Sequence, residues 1–116
     1  NPKKAIYKKG TDAIVQRKKA ALDDTFKRLE KLPGFIQKKQ GEEIKSVLTL
    51  QTYTMRSNME YLSGERDSEA FAKAREFFQA IADVGVGAIG KDWSQAQENY
   101  DLAMNKLTVW KTMVNY

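Results

Sequence analysis

Residues 92–114, DWSQAQENYDLAMNKLTVWKTMV, decide the fold. Trp93, Ala96, Tyr100, Ala103, Leu107, Trp110 and Val114 recur at alternating spacings of three and four. That is the seam of a helix packed lengthwise against other helices. Asp92 is placed to cap its start, with Gln95 three residues on in a pattern like a capping box. About 22 helical residues at 1.5 Å each make a rod of roughly 33 Å. Both tryptophans of the protein lie on its seam, so the rest of the chain has to cover an aromatic face.

Three more segments carry the same period. Thr11 or Asp12 caps a helix predicted to run to about Leu32, with Val15, Leu22, Phe26, Leu29 and Leu32 on its apolar stripe. Arg17, Lys18, Lys19, Lys27 and Arg28 read as lying largely away from that stripe. Pro33-Gly34 stops this helix, and Phe35 and Ile36 are expected to plug one end of the core. Gly41-Glu42-Glu43 opens the next helix, its acids suited to the positive end of the helix dipole. Its stripe is Leu48, Thr52, Met55, Met59 and Leu62, widened by Ile44 and Val47, and Ser63-Gly64 ends it. Asp67 or Ser68 begins a third, with Phe71, Ala74, Phe78, Ile81, Gly85 and Ala88 on the seam, Phe77 and Val84 flanking, and Gly90 as a left-handed cap. Short connections force neighbouring helices to run antiparallel, and no stretch alternates as a strand does. The expectation is an all-α, up-down-up-down four-helix bundle over residues 12–116, preceded by a short basic N-terminal extension over residues 1–11.

The chain of 116 residues suits a single core. It begins with Asn rather than Met, as expected of a processed chain from which any targeting segment has gone. It has no cysteine and no histidine. That removes disulfides, thiol chemistry, most transition-metal sites and the usual neutral-pH proton shuttle. The net charge of +5 is unevenly spread: residues 1–46 hold thirteen Lys and Arg against six Asp and Glu, residues 47–116 seven against nine.

Possible chemical motifs give way to packing. Gly85, Gly87 and Gly90 spell G-x-G-x-x-G, but a dinucleotide site needs a strand before the motif and a helix opening through it. Here the preceding residues have helical period, so Gly85 reads as a close approach between helices. Three glycines also weaken a helix, which points to a frayed or bent end there. The adjacent acids Asp23-Asp24 and Glu42-Glu43 point about 100° apart on a helix and do not converge. Tyr53, Tyr61, Tyr100, Met55 and Met59 read as packing residues. No catalytic residue, cofactor site or metal site is expected, and the chain is expected not to be an enzyme.

The basic half is the functional feature. Lys3, Lys4, Lys8 and Lys9 flank Ile6 and Tyr7, and Arg17, Lys18 and Lys19 follow. These nine residues are the expected partner-binding set: the charges steer the chain to an acidic surface, and Ile6 and Tyr7 anchor it. Nucleic acid would attract the same charges. Base stacking, however, needs exposed aromatics among them, and only Tyr7 and Phe35 qualify. A partner protein with an acidic face therefore accounts for the charges better.

The second predicted helix, LTLQTYTMRSNMEYL with Arg56 between apolar positions, and the final pair, FAKAREFFQAIADVGVGAIGKDWSQAQENYDLAMNKL, resemble the PsbQ family of extrinsic photosystem II subunits. The similarity is greatest to the PsbQ-prime form of red algae and diatoms. It covers residues 48–107 closely and 12–116 loosely, with Ala96 and Tyr100 in a family-like A-x-x-x-Y setting. The resemblance implies a four-helix bundle that does no chemistry, peripheral on the lumenal face of the chloroplast thylakoid membrane. There it would shield the oxygen-evolving centre and help retain calcium and chloride, beside core antenna proteins and PsbO, PsbV and PsbU-type subunits, with no nucleic acid. Plant members carry a long proline-rich N-terminal region, whereas the stretch before the first helix here is short and basic, so their docking mode does not transfer. Another diatom extrinsic subunit of similar size is also a four-helix bundle, which leaves the form open. The alternative reading is a basic helical interaction module that binds nucleic acid or an acidic protein.

Overall fold

The computed structural model describes residues 12–116; the extension expected over residues 1–11 lies outside them. Within the described residues five helices follow one another: α1 (Asp12–Leu29), α2 (Leu32–Gln37), α3 (Gly41–Ser63), α4 (Glu69–Ile89) and α5 (Trp93–Met113). The four long ones form an up-down-up-down bundle, and cross-helix contacts give its directions. Lys18 meets Asn58 while Thr25 meets Gln51, so α1 and α3 are antiparallel. Glu76 meets Lys106 and Gly87 meets Ala96, so α4 and α5 are antiparallel. Lys19 meets Tyr116 while Phe26 meets Lys111, which sets α1 beside α5 and closes the ring.

The expected boundaries hold for the last three helices. Ser68 Oγ accepts the backbone N–H of Phe71 at 3.0 Å, and Asp92 Oδ1 accepts that of Gln95 at 3.1 Å. Each bond satisfies an amide that the first helical turn leaves orphaned. Two local details differ from expectation. The first helix ends at Leu29, and Pro33 opens the separate short helix α2 rather than only stopping the one before. Proline suits a first-turn position, where its missing N–H has no partner to lose. Through this extra turn Leu32 and Ile36 enter the core, while Phe35 packs against it.

The second difference is the end of α4. Gly90 stays right-handed at φ −80°, and Lys91 takes the left-handed conformation at φ 59°. The Asp92 N–H then reaches Gly87 O at 2.8 Å, and the Lys91 N–H reaches Ala88 O at 3.1 Å. This pair of bonds is a Schellman closure. Lys39 after α2 and Asn115 after α5 repeat it, so none of the three left-handed caps is a glycine. Helix α4 runs unbroken through Gly85 and Gly87 to Ile89.

The core follows the predicted seams, but Tyr53 and Tyr61, read as packing residues, are exposed. Ala96, Tyr100, Ala103, Leu107, Trp110 and Val114 are all buried, and Trp93 is half-buried at the bundle end. Leu48 is also only half-buried, and Phe77, placed at the flank of its helix by sequence, is completely buried. The close approach belongs to Gly87 rather than Gly85. A Cβ at Gly87 would lie 3.0 Å from the Ala96 backbone nitrogen, whereas one at Gly85 would meet only the Leu48 Cδ1 end at 3.1 Å.

Two substitutions separate these glycines. Gly87→Ala is expected to lower stability by about 1–3 kcal/mol, because α4 and α5 must move apart. Gly85→Ala, against a movable side-chain tip, is expected to be neutral or to gain up to about 1 kcal/mol from helix propensity. Urea melts of both variants test this ranking, and equal effects would refute it.

Candidate functional site

Of the nine residues expected to bind a partner, Lys3, Lys4, Ile6, Tyr7, Lys8 and Lys9 lie outside the described residues. The structure places the other three on α1, and they do not act alike. Arg17 is exposed. Lys18 is half-buried: its Nζ donates to Asn58 Oδ1 at 3.3 Å and sits 4.6 Å from the centre of the Tyr61 ring. The Lys19 Nζ donates to the Tyr116 carbonyl oxygen at 3.1 Å. Two of the three lysine and arginine heads thus hold helices together, and on α1 Arg17, Lys27 and Arg28 face solvent. Arg28 is drawn to Asp24 by an exposed ion pair at 3.0 Å.

The sequence carries a signal for this. Lys18 lies three residues after Val15 and four before Leu22, and Lys19 three before Leu22. Both therefore occupy the gap in the apolar stripe, not the face opposite. Their aliphatic stems cover the seam while the ammonium groups reach polar partners at its edge. Polar pairs also join α1 to α3, with Thr25 Oγ1 donating to Gln51 Oε1 at 3.1 Å and Asn58 buried beside Lys18.

Elsewhere the charges pair across helices. Glu76 on α4 accepts from Lys106 on α5 at 2.9 Å and from Lys73 at 3.0 Å. The Lys106 bond, then the Lys73 bond, holds its carboxyl below the ordinary value of 4.5. A depressed folded pKa means that the contribution is present above 4.5 and is lost as pH falls through the folded value. Carboxyl NMR titration is expected to show Glu76 titrating below 4.5, and Lys106→Met to raise its midpoint. An unmoved Glu76 in that variant would refute the link. Tyr100 shifts the other way: burial, then Glu30 and Asp101, raises its phenol above 10.0.

Among the described residues no group of three or more acidic side chains is placed to hold a metal ion, and no helix is long and apolar enough to cross a membrane. No protein-family model matches the chain, and no curated protein does.

Proposed function

We propose that the chain is a non-catalytic extrinsic subunit of photosystem II, of the PsbQ-prime type. In this reading it sits peripherally on the lumenal side of the chloroplast thylakoid membrane. It stabilises and shields the oxygen-evolving centre and helps retain calcium and chloride. One observation carries the reading: the PsbQ-like stretch, residues 48–107, falls within three consecutive packed helices, α3 to α5, of a four-helix bundle. That is the architecture the resemblance implies. Core antenna proteins and PsbO, PsbV and PsbU-type subunits are the proposed neighbours. The basic N-terminal residues, with exposed Arg17, supply the docking charge.

Reconstitution tests the reading. The chain is added to photosystem II cores stripped of extrinsic subunits, and oxygen evolution is followed at low calcium and chloride. Rebinding, release by a high-salt wash, and restored activity at low calcium and chloride are the expected results, since docking charges are screened over about 8 Å at physiological ionic strength. Deleting residues 1–10 is expected to weaken rebinding and flatten its salt dependence while the bundle keeps its helicity and melting point. Absence of rebinding, with nucleic acid retained on the purified chain, would overturn the proposal in favour of the basic nucleic-acid-binding module.

A further inference from the structure

An open apolar groove of about 350 Å³ runs along the α3–α4 seam. Ile44, Leu48, Gly85 and Ala88 form its floor, and Val86 and Ile89 stand on its rim with 67% and 76% of their surfaces exposed. Single exposed aliphatics are ordinary; a contiguous set along a groove is not. At one end the groove opens into a second depression of about 440 Å³, where Lys39, Lys45 and Lys91 gather with Glu42 as the one acid. Lys39 and Lys91 both hold left-handed backbone, a conformation that favours glycine.

From Gly41 to Thr52 the α3 wall spans about three helical turns, roughly 16 Å. A helix laid in such a groove offers anchors at i, i+3 or i+4, and i+7. The lysines at one end call for negative charge there, which acidic side chains in the last turn and the negative end of the helix dipole both provide. We propose that this groove docks an amphipathic helix of another protein, apolar along one stripe and acidic in its last turn. A flat membrane surface cannot enter a cleft between two helices. A second copy of this chain is a poor occupant, because the apolar stripes of α1, α4 and α5 are buried in its own core. The site is separate from the α1 charges and does not rest on the photosystem reading.

The test uses the full chain and a 15-residue peptide with leucines at helical spacing and glutamates in its last turn. A control peptide replaces the glutamates with lysines. Amide NMR shifts on titration are expected to concentrate in residues 41–52 and 82–91, with the control binding at least about tenfold more weakly. Val86→Glu with Ile89→Glu is expected to cost at least about tenfold in affinity without moving the melting point, since both side chains face solvent. If that double variant misfolds, Lys45→Glu, exposed on α3, is expected to weaken the acidic peptide and strengthen the control. Lys91→Gly is expected to raise the melting point and weaken the acidic peptide selectively. Equal binding of the two peptides, or shifts mapping elsewhere, would overturn the proposal. So would anionic phosphatidylglycerol vesicles binding through Val86 and Ile89 in place of the peptide, or a dimer that Val86→Glu abolishes.

Discussion

Trp110→Ala is expected to lower the unfolding free energy by about 3–5 kcal/mol. The side chain is fully buried, and it is the largest in the core to be so. Its ring packs 5.8 Å from the Tyr116 ring, and its indole Nε1 donates to Ser63 Oγ at 2.9 Å. Ser63 Oγ in turn donates to the Met59 carbonyl oxygen at 2.7 Å, and the Ser63 carbonyl oxygen accepts from Ser68 Oγ at 3.0 Å. Ser68 caps α4. One indole therefore ties α5 to the end of α3 and the start of α4. Ser63→Ala leaves the indole N–H buried without its acceptor and is expected to cost about 1–3 kcal/mol, whereas Trp110→Phe removes the donor and leaves Ser63 its carbonyl bond. Urea denaturation followed by circular dichroism measures all three, since tryptophan emission changes with the residue itself. A Trp110→Ala cost below Ser63→Ala would contradict the arrangement.

Phe77→Ala is the second large effect, also about 3–5 kcal/mol. Phe77 has no exposed surface and meets Phe26 of α1 edge to face, ring centres 6.4 Å apart at 88°. Its neighbour Phe78 is 8% exposed, with the Arg56 guanidinium 5.3 Å from its ring centre. Phe78→Ala is therefore expected to cost less, because a cavity at that edge can be refilled by water and by the arginine stem. Thermal and urea melts of the pair test the ranking, and an equal or larger loss at Phe78 would refute it.

The aromatic pair also marks where sequence reading reached its limit. The period of three and four identified the buried faces of α4 and α5, and the Ser63-Gly64, Ser68 and Asp92 signals placed their junctions. Period alone cannot say which residue of an adjacent buried pair points to the centre, because that depends on how three other helices are arranged. For this reason the period puts Phe77 at a flank, whereas the bundle buries it completely. The same ambiguity hid Gly87, whose closeness to Ala96 is a distance between two helices and leaves no trace in either helix alone. The candidate site was harder still. Basic residues read as surface by type, whereas Lys18 and Lys19 are half-buried with their ammonium groups on partners across the bundle. The groove between α3 and α4 was not legible at all, since Leu48 and Gly85 both sat on predicted seams that turned out to be half-open there.

Tyr116 gives the bundle an order of opening. Its hydroxyl lies 2.9 Å from the Lys19 carbonyl oxygen and 2.6 Å from Asp23 Oδ1, while its ring rests between Phe26 and Trp110. It is a clasp between α1 and α5, and α1 meets α3 partly through side-chain hydrogen bonds. Helices held in this way come away in partial unfolding before those joined by deep apolar packing. Hydrogen exchange should therefore be fastest in α1 among the long helices and slowest where α4 meets α5. Loosening the clasp would let protease reach α1 first, leaving a three-helix remnant with Phe77 uncovered, a state more prone to associate than either the native bundle or the extended chain.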